Sequence, residues 1–109
     1  MWAGTNGGWT HNKTAWITEY IAFGKEIVTH YANPKLPLFL TTVGPMTDGY
    51  GTLVESVVTT LVDQGVRAYP LNLSLGRGMT GCFGHPSHAD NLEIAAQAKP
   101  QMAKVLGWL

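Results

Sequence analysis

Two apolar runs joined by a segment of helical periodicity constrain this chain more than any other feature. Residues 36–43 read Leu-Pro-Leu-Phe-Leu-Thr-Thr-Val and residues 66–73 read Val-Arg-Ala-Tyr-Pro-Leu-Asn-Leu. Between them Leu53, Val54, Val57, Val58, Leu61 and Val62 trace one helical face. Thr52 with Glu55 three residues on predicts a capping box at the start of that helix, and Gly65 predicts its end. Strands that are apolar throughout and are linked by a helix pair side by side in a parallel sheet, covered on both faces.

The flanking segments extend the same alternation. Residues 1–4 are short and apolar and predict the end of a buried strand, with Gly4-Thr5-Asn6-Gly7-Gly8 turning after it. Residues 13–31 place Trp16, Ile17, Tyr20, Ile21, Ile27, Val28 and Tyr31 on one side of a helix, with Asn12 as its cap and Asn33-Pro34 as its end. Pro37 falls near the start of the second strand, where a missing N–H costs least, and Gly44-Pro45 closes that strand. Pro70 predicts an interruption or an early end of the third. Residues 74–79 lack periodicity and predict a loop. Ser87 with Asp90 repeats the capping pattern ahead of a last helix whose apolar side is Leu92, Ala95, Ala96, Met102, Ala103 and Leu106, with a kink at Pro100. The expected fold is therefore an α/β sandwich of three layers around a parallel sheet, with about three strands and three helices in one domain over residues 1–109.

Composition narrows the partners. Only 13% of the 109 residues are charged and the net charge is zero, so nothing here attracts a phosphate backbone or an anionic membrane, and nucleic acid is not an expected partner. The longest apolar runs are far shorter than a bilayer needs, so no membrane span is expected. Met1 leads into Trp2, Ala3 and Gly4 with neither a basic region nor a long apolar stretch, so no secretory leader is expected either. The single cysteine, Cys82, leaves the redox compartment and hence the localisation open. A surface poor in charge, together with an apolar first strand that nothing blunts, predicts that another polypeptide or a preceding N-terminal half pairs alongside residues 1–4.

The chemistry concentrates in Gly81-Cys82-Phe83-Gly84-His85-Pro86-Ser87-His88-Ala89-Asp90. A tight Gly and Cys turn presents one histidine, a proline fixes the backbone after it, and a serine opens the final helix. Gly4-Thr5-Asn6 after a strand, and Gly81-Cys82-Phe83-Gly84-His85-Pro86-Ser87 before a C-terminal helix ending in Leu106-Gly107-Trp108, resemble the later blocks of the SGNH hydrolases, the GDSL-type esterases and lipases. The form Gly-Cys-x-x-His-Pro-Ser is most similar to the acetyl-esterase branch that includes the second family of carbohydrate esterases. The resemblance runs over essentially all of this chain but about the last half of a typical family domain. It implies a flavodoxin-like SGNH fold, a small acyl ester or acetylated sugar as substrate, no cofactor, His85 as general base and Asn6 as a side-chain donor to the oxyanion hole. Trp9, beside Asn6, is then a candidate substrate wall. An imidazole that titrates near neutrality takes a proton from a serine hydroxyl and returns it to the leaving alcohol, while an amide N–H stabilises the oxyanion between those steps.

Other residues depart from the family pattern. The nucleophile of such enzymes sits in a Gly-Asp-Ser block, and the three serines here, Ser56, Ser74 and Ser87, occupy no such block. Cys82 stands three before the histidine, where the wider family often has Asp; Phe83 stands two before it; Gly7 follows Asn6 where Asp is common. Plainer readings stay open beside the catalytic one. His85 also suits a loop histidine bonded to backbone, and Asn6 suits an Asx turn ending a strand. Trp9, Trp16 and Trp108 suit a core or an interface. Cys82, His85, His88 and Asp90 fit a metal-ligand spacing loosely, but the cap already engages Asp90 and no second ligand cluster exists, so no metal site is expected. The family role competes with a non-catalytic one, in which the chain is a structural module packed in a larger assembly.

Overall fold

The computed structural model describes residues 12–41 and 50–108. Within them lie, in chain order, α1 (Lys13–His30), β1 (Leu38–Leu40), α2 (Tyr50–Asp63), β2 (Ala68–Pro70), a single 3₁₀ turn (Cys82–Gly84) and α3 (His88–Leu106). This is a mixed α/β fold of three helices with a small parallel sheet of two strands. The strand expected over residues 1–4, its glycine turn and the Gly44-Pro45 break lie outside the described residues. Among the described residues no helix is long and apolar enough to cross a membrane. The chain packs as two compact units, one through Pro70 and one from Leu71 onward.

The first unit is built as the β–helix–β signal requires. β1 and β2 pair in parallel with Leu38 opposite Ala68, Phe39 opposite Tyr69 and Leu40 opposite Pro70, and α2 makes the crossover that parallel pairing demands. Phe39 and Tyr69 stack across the strands at 5.7 Å. Trp16, Tyr20, Leu38, Leu40, Val54, Val57, Val58, Leu61 and Ala68 form one buried cluster, so the expected apolar faces of both helices meet on the strands. Gly24 brings α1 close to this core: a Cβ there would lie 3.1 Å from Leu61 Cδ1 and 3.6 Å from Leu38 Cδ1.

Several expected boundaries shift. Asn12 caps α1 as expected, accepting from the Ala15 N–H at 2.9 Å, but the helix ends at His30 and Tyr31 is 67% exposed. Thr52 is not the cap of α2. The helix begins at Tyr50, which puts Thr52 in its first turn, with the Thr52 carbonyl accepting from Ser56 Oγ at 3.1 Å. Val62 faces outward, 51% exposed. Gly65 ends α2 as expected, with φ +84; its N–H reaches the Val62 carbonyl and that of Val66 reaches the Leu61 carbonyl, both at 2.9 Å, the bond pattern of a Schellman cap. β2, expected as a third strand, stops at Pro70, which has no N–H to continue a ladder.

The second unit holds residues 71–75, the 3₁₀ turn and α3. Burial alternates along Leu71, Asn72, Leu73, Ser74 and Leu75 as in a strand, yet the partner is α3 rather than another strand. Gln101 accepts from the Asn72 N–H at 3.0 Å and donates to the Asn72 carbonyl at 2.9 Å. Gln97 does the same for Ser74, at 2.9 and 2.7 Å. Alternate residues of an extended segment and residues four apart on a helix repeat at similar distances, ~6–7 Å, so two carboxamides can stand in for a neighbouring strand. The helix continues through Pro100 and ends on Gly107 at φ +69.

The face of α3 differs in its first half from the one its apolar residues predict. Ala103 is buried as expected and Met102 and Leu106 are half-buried, but Leu92, Ala95 and Ala96 are exposed, and Asp90 and Ile94 are buried instead. The glutamines and Asp90 find backbone and side-chain partners on the packed side, which compensates their loss of water.

Candidate functional site

The His85 turn is assembled from its two ends inward. Asp90, with no solvent exposure, points its carboxylate back across the start of α3. Its Oδ2 accepts from the Thr80 N–H at 2.7 Å and the Ser87 N–H at 2.8 Å. The hydroxyls of Thr80 and Ser87 lie 2.8 and 2.9 Å from the same oxygen and 2.8 Å from each other, so either hydroxyl can turn its proton to the other when the carboxylate is saturated. Oδ1 accepts from Arg77 Nη1, and Arg77 Nη2 reaches Glu93 at 2.7 Å. Ser87 in turn accepts from the Asp90 N–H at 3.2 Å, completing the expected capping box of α3. The residues immediately before and after the segment 81–86 are thus tied to one carboxylate.

Within that segment the backbone closes on itself. The Gly81 N–H donates to the His85 carbonyl at 2.9 Å, and the His85 N–H donates to the Cys82 carbonyl at 3.1 Å. Gly81 is required by space: a Cβ would stand 2.6 Å from the His85 carbonyl oxygen and 3.0 Å from the Pro86 and Ser87 backbone. Phe83 takes a left-handed conformation, φ 54 and ψ 33, and is fully exposed. A non-glycine residue pays about 1 kcal/mol or more for that conformation, so the surrounding bonds must enforce it.

Electrostatics favour an ionised hub. The Ser87 N–H first and the Thr80 N–H next hold the Asp90 carboxyl well below the usual carboxylate range, with Arg77 and the Thr80 hydroxyl adding to them against the opposing effect of burial. Arg77 is raised correspondingly, chiefly by its bond to Asp90.

His85 is exposed and bonds through its backbone; among the described residues its imidazole has no hydrogen-bond partner. Cys82 is a free, exposed thiol. Asn6 and Trp9 lie outside the described residues. Trp16 is a core residue and Trp108 is 67% exposed. All three serine hydroxyls are engaged: Ser56 Oγ donates to the Thr52 carbonyl, Ser74 Oγ accepts from the Gly76 N–H at 3.2 Å, and Ser87 works in the cap. Among the described residues no group of histidine, cysteine, aspartate and glutamate side chains could hold a metal ion.

The residues that periodicity did not single out are Arg77, Thr80, Gln97 and Gln101. Two glutamines four apart, continuing the line of Asp90 and Ile94, are the signal that could have exposed the second pair. Arg77 and Thr80 sit in an aperiodic loop, where nothing local announces a partner on α3. In comparisons with protein-family models, with curated proteins and with solved structures, the chain matches none.

Proposed function

We propose that the chain is the C-terminal half of an SGNH-type ester hydrolase that acts on small acyl esters such as acetylated carbohydrates. The observation that supports this reading is the mounting of His85: a backbone fixed from both sides carries an imidazole that is exposed and uncommitted. In this reading the sheet is extended into a three-layer sandwich by a preceding strand, and a serine hydroxyl comes from a partner polypeptide or a preceding segment.

The chemistry then follows from the residue types. His85 removes the proton of that serine as its oxygen attacks the acyl carbon, and the Asn6 carboxamide donates to the developing oxyanion. Collapse expels the alcohol with the proton held on His85; water, deprotonated by the same imidazole, releases the acid and restores the serine. Trp9 forms a wall for the substrate.

The test is to combine the chain with the serine-bearing polypeptide and follow release of acetate from an acetylated sugar. The expected result is cleavage that His85→Ala lowers by about 10³-fold or more. An inert complex, or one whose activity survives His85→Ala, would sink the reading. The engagement of all three serines in local structure favours a second reading, a non-catalytic module of the same lineage. In that case His85→Ala leaves the stability of the assembly unchanged, while Trp2→Asp disrupts it.

A further inference from the structure

We propose that Asp90 is the positioning residue for His85, holding the imidazole's turn in one conformation from the first turn of α3. The proposal rests on His85 being the working group of the site proposed above, but its test does not depend on ester cleavage.

Three features set Asp90 apart from an ordinary helix cap. A cap needs one side chain to accept from the first backbone N–H groups, and Ser87 already does that, accepting from the Asp90 N–H at 3.2 Å. Asp90 also reaches out of the helix to Thr80, by N–H at 2.7 Å and by hydroxyl at 2.8 Å. Thr80 and Ser87 flank the segment 81–86, so a single oxygen fixes the distance between the two ends of the turn that carries His85. Arg77 anchors the other oxygen and is itself held by Glu93 at 2.7 Å, one turn further along α3. The carboxylate therefore cannot swing to follow the loop.

The second feature is burial. Asp90 has no exposed surface, whereas Cys82, Phe83, Gly84 and His85 are all exposed. The exposed segment has no apolar packing of its own to fix it. Its conformation includes a left-handed Phe83 that an unrestrained chain would abandon. What opposes relaxation is the pair of backbone bonds inside the turn and the carboxylate that closes its base. Removing a hydrogen-bond acceptor from a buried hub leaves several donors without a partner, which is costlier than losing one isolated bond.

The third feature is that the neutral isostere cannot substitute. Asparagine offers one acceptor oxygen and an NH₂ group that would face either Arg77 or the Thr80 and Ser87 N–H groups, donor against donor. Asp90→Asn thus keeps the volume and removes the function.

Amide hydrogen exchange and the His85 ring signals in NMR spectra of the intact chain test this. In Asp90→Asn, exchange of the Gly81 and His85 N–H groups, the two bonded inside the turn, is expected to rise by about 100-fold, and the His85 Cε1–Hε1 signal to broaden or split, while the amides of 98–105 in α3 and the His30 ring signal keep their wild-type behaviour. Thr80→Val removes only the hydroxyl and keeps the N–H bond, so it should give a rise of about 10-fold at the same residues. Because it retains most of the network, it serves if Asp90→Asn fails to fold. Thr80→Ser should restore the wild-type pattern. Exchange rising equally through 98–105 would make Asp90 a cap of the helix and nothing more, and an unchanged His85 turn would remove its role altogether; either result overturns the proposal.

Discussion

Each of the two units of this protein has its own kind of interior. Through Pro70 the described interior is apolar, with Leu40, Val57 and Leu61 out of solvent and Thr41 the buried polar residue. From Leu71 onward the apolar cluster shrinks to Leu75 and Ile94 with Leu73 and Met79 against them, and a buried carboxylate and two glutamines do much of the joining. A non-directional core tolerates displacement but not lost volume; a directional network tolerates volume changes but not a lost donor or acceptor. The exposed histidine turn lies in the second kind of structure, which is the kind that fixes a conformation.

A cavity mutation should break the comparison most forcefully. Leu61 is fully buried and reaches Gly24 on α1. Leu61→Ala is expected to cost roughly 3–5 kcal/mol, because the lost contacts and the residual cavity add. Denaturant unfolding followed by residue-specific exchange should show the loss in α1, β1, α2 and β2, with the Thr80–Asp90–Ser87 protection unchanged. Equal loss of protection in residues 71–108 would show that the two parts do not differ in the way argued.

Next in size come opposite responses to pH. Burial pushes the Tyr20 hydroxyl up to about 12, with the Thr41 backbone bond partly opposing it. A folded pKa above the unfolded value of about 10 stabilises at lower pH, and that contribution is lost as pH rises through the folded value. Between pH 10 and about 12 the first unit should lose on the order of 2 kcal/mol, less whatever solvent screens, and Tyr20→Phe should remove that dependence. Asp90 has the reverse sign. Its folded pKa is lowered, so its contribution is complete above the unfolded carboxylate value and is lost as pH falls through the folded one. The His85 turn should accordingly stay protected from exchange through the ordinary carboxylate range and open only in stronger acid. Opening near pH 4, where an unperturbed carboxylate titrates, would contradict the hub.

How much of this was legible in the residues follows the same division. Apolar periodicity located the core faces of α1 and α2, because burying Trp16, Tyr20, Val54, Val57 and Leu61 needs only that they recur at the right interval. Glycine located the end of α2, and the Ser87–Asp90 spacing located the start of α3, since each reports a local backbone requirement. Ala103, in the second half of the α3 face, is buried as expected, but the same reasoning misplaced the first half. It followed Leu92, Ala95 and Ala96, whereas the packed side carries Asp90 and Gln97. A polar side chain is read as outward-facing unless its partner is known, and the partners, Thr80 and the backbone of Ser74, are contributed by a loop with no pattern. The turn that carries His85 was legible from its glycine and proline surroundings. The bonds that close its base were legible only in the Ser87–Asp90 capping pair.

The smallest effects sharpen the comparison at two matched points. The chain leaves α2 and α3 through left-handed glycines, Gly65 and Gly107, but leaves α1 through Ala32 at φ 48. The same pair of closing bonds is present there, Ala32 N–H to the Thr29 carbonyl at 3.0 Å and Asn33 N–H to the Val28 carbonyl at 3.4 Å. Ala32→Gly should therefore stabilise the first unit by up to about 1 kcal/mol, since it removes a Cβ clash and alters no side-chain contact of consequence. Phe83, at φ 54, is the corresponding residue of the second unit. Its ring is fully exposed and contributes no packing, so Phe83→Gly should also stabilise, by a similar ~1 kcal/mol. The two substitutions are to be read together by thermal unfolding. Gains at both sites mean that the left-handed phenylalanine is a cost the Asp90 network sustains to present a side chain to solvent. A gain at Ala32 with a loss at Phe83 would mean that the ring itself supports the turn, and the directional bonds would no longer suffice to explain how His85 is held.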